Sequence, residues 1–246
     1  VGKTESVASI NHAAVRKEDV FFGGTMRLLT TLGLCLLLAG QAQAGVITRL
    51  PGNGKVVALT FDACPTKKPQ HFDASVLDFI EREKLPVTLF ISERFARATA
   101  GEIKRLCALG FIEIENHSVS HNNHMERLTD GDALKEMDDS YLAGLTGRKT
   151  KFFRFPAGSF DNRTLALAER CFRVVHWSFP SGDFDTAMTP QELSREVLTR
   201  VRPGSILIFH INGNGHGTGK ALPGIVEALK AKGYRFVKIE DALDSK

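Results

Sequence analysis

Seven short apolar runs rich in β-branched and aromatic residues punctuate the chain, at 56–61, 87–91, 111–116, 152–155, 174–179, 205–210 and 235–239. Each is of strand length, and stretches with helical apolar spacing lie between them, at 73–83, 101–109, 129–145, 164–171, 190–201 and 222–232. Strand-sized runs alternating with helical stretches are the pattern of βα units and a parallel sheet. The stretch 129–145 carries the fullest helix signals. Thr129 and Asp132 can form a capping box, Leu134, Met137, Tyr141 and Leu145 recur at helical spacing, and Gly147 can end it. No linker-like segment divides the pattern, so the expected fold is a single α/β domain of about seven parallel strands. Periodicity alone leaves a closed barrel and a doubly wound sheet equally open.

In parallel α/β folds the working groups gather where strands end and loops begin. Asp62 closes the first run, His117 the third, Arg154 lies in the fourth, Asp183 follows the fifth and His210 closes the sixth. Convergence of these ionisable groups at one end of one sheet points to a site there. His117 and His121, four residues apart, can face one point and hold a divalent metal through neutral imidazole nitrogens. His124 reads as a further ligand or as a solvated loop residue. Asp62, tuned by Arg154, suits a general base, although a buried ion pair has the same signature. His210 suits a general acid oriented by Asp183, and taken singly reads equally as a core histidine. His216 lies in the glycine-rich stretch 212–218, as a substrate contact or simply part of a surface loop. That stretch lacks the lysine and spacing of a phosphate loop, so it gives nucleotide binding no support.

Residues 26–44 have the order of a secretory signal peptide: a basic start at Arg27, an apolar stretch from Leu28 to Gly40, and Ala42-Gln43-Ala44 as a cleavage site. The apolar stretch is shorter than the roughly 20 residues of a membrane span, so no stable span is expected after cleavage. Residues 1–25 precede the leader's own methionine and read as a disordered upstream extension, leaving 45–246 as the folded domain. About 200 residues suit one compact barrel. Export to the periplasm or extracellular space follows.

The net charge of +4 falls only to +3 without residues 1–44, with 28 Lys/Arg against 25 Asp/Glu remaining. Those charges are dispersed with no dense basic block, which argues against a nucleic-acid partner. In an oxidising compartment Cys64, Cys107 and Cys171 allow one disulfide and a leftover thiol. With no CxxC or Cys/His zinc spacing, they are otherwise expected to be buried small apolar residues.

The motifs Thr60-Phe61-Asp62-Ala63, His117-Ser118-Val119-Ser120-His121, Arg154-Phe155-Pro156-Ala157-Gly158, Trp177 with Ser181-Gly182-Asp183, and Ile208-Phe209-His210 occur in that order, followed by Gly233-Tyr234-Arg235-Phe236-Val237. In this the chain resembles the polysaccharide deacetylases of carbohydrate esterase family 4, which carry the NodB-type deacetylase domain, from residue 56 to its end. The resemblance implies a single deformed (β/α) barrel that hydrolyses acetyl groups, usually N-acetyl on hexosamine polymers, with a divalent metal, commonly zinc or cobalt. It assigns Asp62 as base, His117 and His121 as metal ligands, Arg154 as the residue fixing Asp62, and His210 as acid tuned by Asp183. The Ala157 amide becomes an oxyanion donor. Trp177, Phe184, Pro156 and His216 become substrate contacts, and the implied partner is an N-acetylated glycan.

Two departures stand out. Most relatives follow the base with a second, metal-binding Asp, where this chain has Ala63, and Ala157 replaces an aromatic residue. Asp62 itself, His71, Asp73 or His124 are the candidates to complete the metal shell, unless metal is absent. A glycan-binding module without catalysis and a hydrolase of a small amide or imide are the alternative readings.

Overall fold

Strand β1 (Val56–Ala63) runs through the middle of the molecule, and its alternation organises everything around it. Val57, Leu59, Phe61 and Ala63 enter the largest apolar cluster, together with residues of the surrounding helices. Ala58, on the opposite side, belongs to an inner cluster with Phe90, Phe152, Val175, Ile206 and Ile239. Successive side chains of a strand point to opposite faces, so Thr60 and Asp62 share the inner face with Ala58.

The computed structural model describes residues 45–244; the expected leader at 26–44 and extension at 1–25 lie outside them. Around β1 the strands β2 (Val87–Ile91), β3 (Ile112–Asn116), β4 (Phe152–Phe153), β5 (Arg173–Val174) and β6 (Ile206–His210) are ordered β5-β4-β3-β2-β1-β6, all in parallel. β7 (Arg235–Phe236) pairs with Val56 and Val57 at the beginning of β1. A parallel bridge between Phe179 and Leu207 joins the two ends of the row. The Ile47 segment fills the seam: its amide donates to the Val174 carbonyl at 2.8 Å and its carbonyl accepts from His176 N at 2.9 Å. The result is the single deformed (β/α) barrel. Helices α1 (Ala74–Glu83), α2 (Glu93–Ala98), α3 (Ala100–Cys107), α6 (Asn162–Ala168), α7 (Pro190–Arg200) and α8 (Thr218–Ala231) occupy the intervening connections.

Several expected elements are shorter or broken, for identifiable reasons. The run 174–179 contributes only Val174 to β5, because its pairing passes from β4 to Ile47 and then to Leu207. The run 152–155 stops early where Pro156 turns the chain into a single 3-10 turn, Pro156–Gly158. The expected helix at 129–145 divides into α4 (Asp130–Glu136) and α5 (Ser140–Thr146). Thr129 caps α4 as anticipated, accepting from Asp132 N at 3.2 Å. Beyond it, the Met137 carbonyl accepts from Asn116 Nδ2 at 2.9 Å, and Asp139 accepts from the amide and hydroxyl of Thr150, each at 3.0 Å. Those long-range bonds, with Ser140 Oγ donating to Asp138 at 2.5 Å, favour a break at 137–139.

The inner face of β3 carries two acids. Ile112 and Ile114 pack outward, which turns Glu113 and Glu115 toward the interior, both fully buried. Glu113 accepts from Thr88 Oγ1 at 2.6 Å and from Glu240 N at 3.2 Å, tying down the start of α9 (Ile239–Asp244). Glu115 accepts from the amides of Lys151 and Phe152 and from Arg148 Nη1. Burial raises Glu113 to about 7, and burial together with the Glu113 charge raises Glu115 to about 8. In the unfolded chain both ionise near the ordinary carboxylate range, so the folded state binds protons more tightly. Stability is therefore fullest below about pH 4.5 for this pair and is lost as pH rises toward 8. Unfolding free energies from urea titrations between these limits should decline, by roughly 3 kcal/mol per group. Glu113→Gln with Glu115→Gln should flatten that decline; an unchanged slope would show that these acids are not its source.

Candidate active site

The expected site residues meet at the carboxyl-terminal mouth of the barrel, around a cleft of about 510 Å³. The pleat of β1 places Asp62 on the inner face. Ala63 is buried in the outer cluster, and Cys64, two residues past Asp62, faces the mouth again. Asp62 Oδ1 meets Arg154 Nη1 at 2.6 Å, and its Oδ2 lies 3.4 Å from His117 Nε2. Arg154 is wholly enclosed. Its Nε donates to the Val175 carbonyl at 3.2 Å, its Nη2 to the His176 carbonyl at 3.1 Å, and its guanidinium sits 3.9 Å from the Phe90 ring centroid.

The 117–121 loop is wound to bring two imidazoles together. Ser118 and His121 both adopt left-handed backbone, at φ 69° and 64°, costing about 1–3 kcal/mol each for non-glycine residues. Asn116 Oδ1 accepts from Ser118 N, and Ser118 Oγ accepts from His121 N, both at 2.9 Å. The two rings stand 4.8 Å apart. His117 Nδ1 is engaged by the Arg154 carbonyl at 2.9 Å, which turns Nε2 toward Asp62 and toward Cys64 Sγ at 3.7 Å. Cys64 Sγ and one nitrogen from each histidine all lie within 4.8 Å of one another. This nitrogen and sulfur donor set fits a borderline-soft divalent ion.

The other expected metal donors are elsewhere. Asp73 caps α1, accepting from Ser75 N and Val76 N. His71 is exposed, its Nδ1 3.0 Å from the Pro69 carbonyl, and His124 is exposed beside Glu126 at 3.1 Å. Nor are the three cysteines simply buried apolar residues or disulfide partners: all are free thiols, with Cys171 exposed and Cys107 partly so. Cys64 is the residue the sequence reading missed, and its spacing of two from Asp62 at a strand end was the available signal.

On the opposite wall, His210 Nδ1 lies 2.9 Å from Asp183 Oδ1, while Asp183 Oδ2 accepts from His210 N at 2.6 Å and Thr218 Oγ1 at 2.8 Å. Gly215 is packed so closely that a Cβ there would meet Thr218 Oγ1 at 2.4 Å and Asp183 Oδ2 at 2.9 Å. Trp177 lines the cleft, stacked on His176 at 5.1 Å. Ala157, at φ 53°, is carried into the mouth, and His216 and Phe184 also line it, Phe184 being 61% exposed. Pro156 is buried beneath the Ala157 turn and does not line the cleft.

Burial opposes ionisation at Asp62, but the charges of Arg154, His117 and His210 outweigh it and hold the carboxyl below its usual range. Burial likewise opposes charge on His210, yet the Asp183 hydrogen bond and contacts with Cys64 and the Asp183 charge raise it well above the usual histidine value. The Cys64 thiol is held well below its usual value: hydrogen bonds to His117, His121 and His210 outweigh burial. His176, pushed down to about 3 by burial and by the Arg154 charge, is a neutral spacer whose Nε2 has no hydrogen-bond partner.

A sequence model of the family described as Polysaccharide deacetylase matches residues 49–175. A peptidoglycan-N-acetylglucosamine deacetylase of Bacillus cereus is 30% identical over 194 residues, covering 77% of this chain and 68% of that protein. A chitooligosaccharide deacetylase of Azorhizobium caulinodans is 28% identical over 207 residues, covering 77% of this chain and 95% of the relative. Among solved structures, a peptidoglycan N-acetylglucosamine deacetylase in complex with a naphthalenyl N-oxidanyl-benzamide superposes with TM-score 0.73 at 27% identity, over 82% of this chain and 94% of the other. A carbohydrate esterase family 4 pseudoenzyme from Bacillus anthracis shares the fold, with TM-score 0.72 at 23% identity over 82% and 69% of the two chains. Among the described residues no helix is long and apolar enough to cross a membrane.

Breaking a buried ion pair on one side leaves the other charge uncompensated, at a cost of about 3–5 kcal/mol. Arg154→Met should lower unfolding stability by about that amount in urea titration. Adding Asp62→Asn to that background should recover part of the loss; additive losses would mean that the pair is not coupled.

Proposed function

The chain belongs to the polysaccharide deacetylase family, and from that membership and the geometry of its cleft we propose that it is an exported, metal-assisted hydrolase removing N-acetyl groups from an envelope or extracellular glycan. The observation that carries this reading is the opposition across one cleft of a carboxylate kept ionised, Asp62, and an imidazole kept protonated, His210. Such a pair of groups with pKa values driven apart suits general base and general acid.

His117 and His121 would hold the divalent metal, zinc being the first expectation. When bound, it would supply Lewis acidity and a lowered pKa for water. Arg154 pins Asp62 Oδ1 and leaves Oδ2 toward the mouth, so Asp62 accepts the proton as water adds to the acetyl carbonyl carbon. The Ala157 amide, carried into the mouth by its left-handed turn, is the donor for the oxyanion. His210, positioned by Asp183, gives its proton to the departing nitrogen as the carbon–nitrogen bond breaks, leaving acetate and a free amine. Trp177 walls the acetyl pocket, Phe184 and His216 offer an outer surface to the sugar chain, and Pro156 supports the Ala157 turn from below.

Glycan substrates are supported by the activities named for the Bacillus and Azorhizobium relatives, and export by the leader-like order of residues 26–44. One observation favours a second reading, a glycan-binding module without catalysis: Ala63 offers no ligand where most of the family has a carboxylate. The intact Asp62–Arg154 and His210–Asp183 pairs weigh against it.

Acetate release from chitooligosaccharides and peptidoglycan fragments, with zinc and with chelator, decides between them. Asp62→Asn and His210→Ala should each reduce turnover by about 100-fold or more, and acetate release unchanged in both would overturn the mechanism. Asp183→Asn removes the partner that raises His210, so the alkaline limb of kcat/KM should move to lower pH. An unmoved limb would dissociate Asp183 from the acid.

A further inference from the structure

We infer that Cys64 is the third metal ligand, a thiolate in place of the carboxylate absent at Ala63, and that the site consequently selects a thiophilic divalent ion. The assignment begins with the pleat of β1. Ala63 points into the outer cluster at 0% exposure, so the next side chain after Asp62 to face the mouth is Cys64. Cys64 is itself held in place, its carbonyl accepting from the buried Asn212 side chain.

The imidazoles are arranged to receive a common partner. His117 has its Nδ1 occupied by the Arg154 carbonyl, which fixes the ring and leaves Nε2 on the Cys64 side at 3.7 Å. A second hydrogen bond on the far nitrogen is the usual device for orienting a ligating histidine. With His121, the three donor atoms fall within 4.8 Å of one another. Three protein ligands with a fourth position open is the composition of a catalytic zinc site.

Asp73 and His124 are committed elsewhere, to the α1 cap and beside Glu126, while Asp62 gives Oδ1 to Arg154 and keeps Oδ2, 3.4 Å from His117 Nε2, at the mouth. Ligation by Cys64 spares Asp62 for proton transfer. It also changes which ion the site accepts, because thiolate suits zinc and cobalt, whereas magnesium and calcium demand oxygen.

This assignment rests on the deacetylase reading for the presence of a metal, and its test is separable from it. Metal-depleted protein in which Cys35, Cys107 and Cys171 are replaced by serine is titrated with cobalt, leaving Cys64 as the remaining thiol. A sulfur-to-cobalt charge-transfer band in the near ultraviolet is expected. Bound cobalt without that band overturns the assignment. Cys64→Ser should abolish the band in the otherwise native protein and weaken zinc binding by about 100-fold or more, since even outer partners of ligands are worth about 10–100-fold. Unchanged zinc affinity in a folded Cys64→Ser protein, judged by circular dichroism, overturns it as well. Should that variant fail to fold, the cobalt spectrum of the triple-serine protein still decides. Acetate release assayed on the same preparations separates the two readings: the band without acetate release keeps the ligand and sinks the deacetylase, and acetate release without the band does the reverse.

Discussion

A guanidinium sealed inside a barrel is tolerable only when every one of its demands is met, and Arg154 is sealed completely. Its charge is answered by Asp62, two of its nitrogens donate to the carbonyls of Val175 and His176, and its plane lies against Phe90. Removal of a charge from water costs several kcal/mol before pairing offsets it. The arrangement therefore requires β1, β2, β4 and the segment after β5 to be in register at once. The same residue sets the orientation of His117 through its own carbonyl. Fold and site thus share one constraint, since whatever displaces Arg154 releases the carboxylate, the imidazole and the barrel seam together.

The barrel interior extends this logic along its length. Toward the opening, Asp62, Arg154, His117 and Asp183 form pairs in which charge meets charge or a hydrogen bond. Toward the other end, Glu113 and Glu115 accept from Thr88, from backbone amides and from Arg148, with burial favouring their neutral form near pH 7. The inner apolar cluster of Ala58, Phe90, Phe152 and Ile206 shares the barrel interior with both sets of polar groups. One end maintains ions for chemistry and the other avoids them. The difference follows from which partners are available, because a carboxylate beside a buried arginine is held ionised while one beside another carboxylate is driven to keep its proton.

The strands were legible because their apolar runs are short, β-branched and separated by helical spacing, a purely local signal. The order of polar residues at the strand ends was enough to gather Asp62, His117, Arg154, Asp183 and His210 into one mouth. What sequence did not reveal depended on distant partners. The break at 137–139 exists because Asn116 and Thr150 claim groups that a continuous helix would use. The expected third donors at Asp73, His71 and His124 turned out to belong to a cap or to solvent, which depends on loop paths invisible in spacing. Cys64 was weighed only for disulfide pairing and burial. Its orientation is set by the pleat of β1 persisting past the end of the strand, and that persistence is a property of the fold.

The seam around Ile47 has a kinetic side. The Thr48 carbonyl is reached by Ser178 from 130 residues away, and Arg49 reaches the Pro203 carbonyl across 154. Contacts that distant add loop-closure entropy before they return any stabilisation, and they slow folding. The segment that closes the barrel is made early and must wait for β5 and β6 before it has anything to pair with. β5 and β6 are the two ends of the strand row, and only the Ile47 segment and the Phe179–Leu207 bridge join them, so closing the mouth is the step that depends on contacts most distant in sequence.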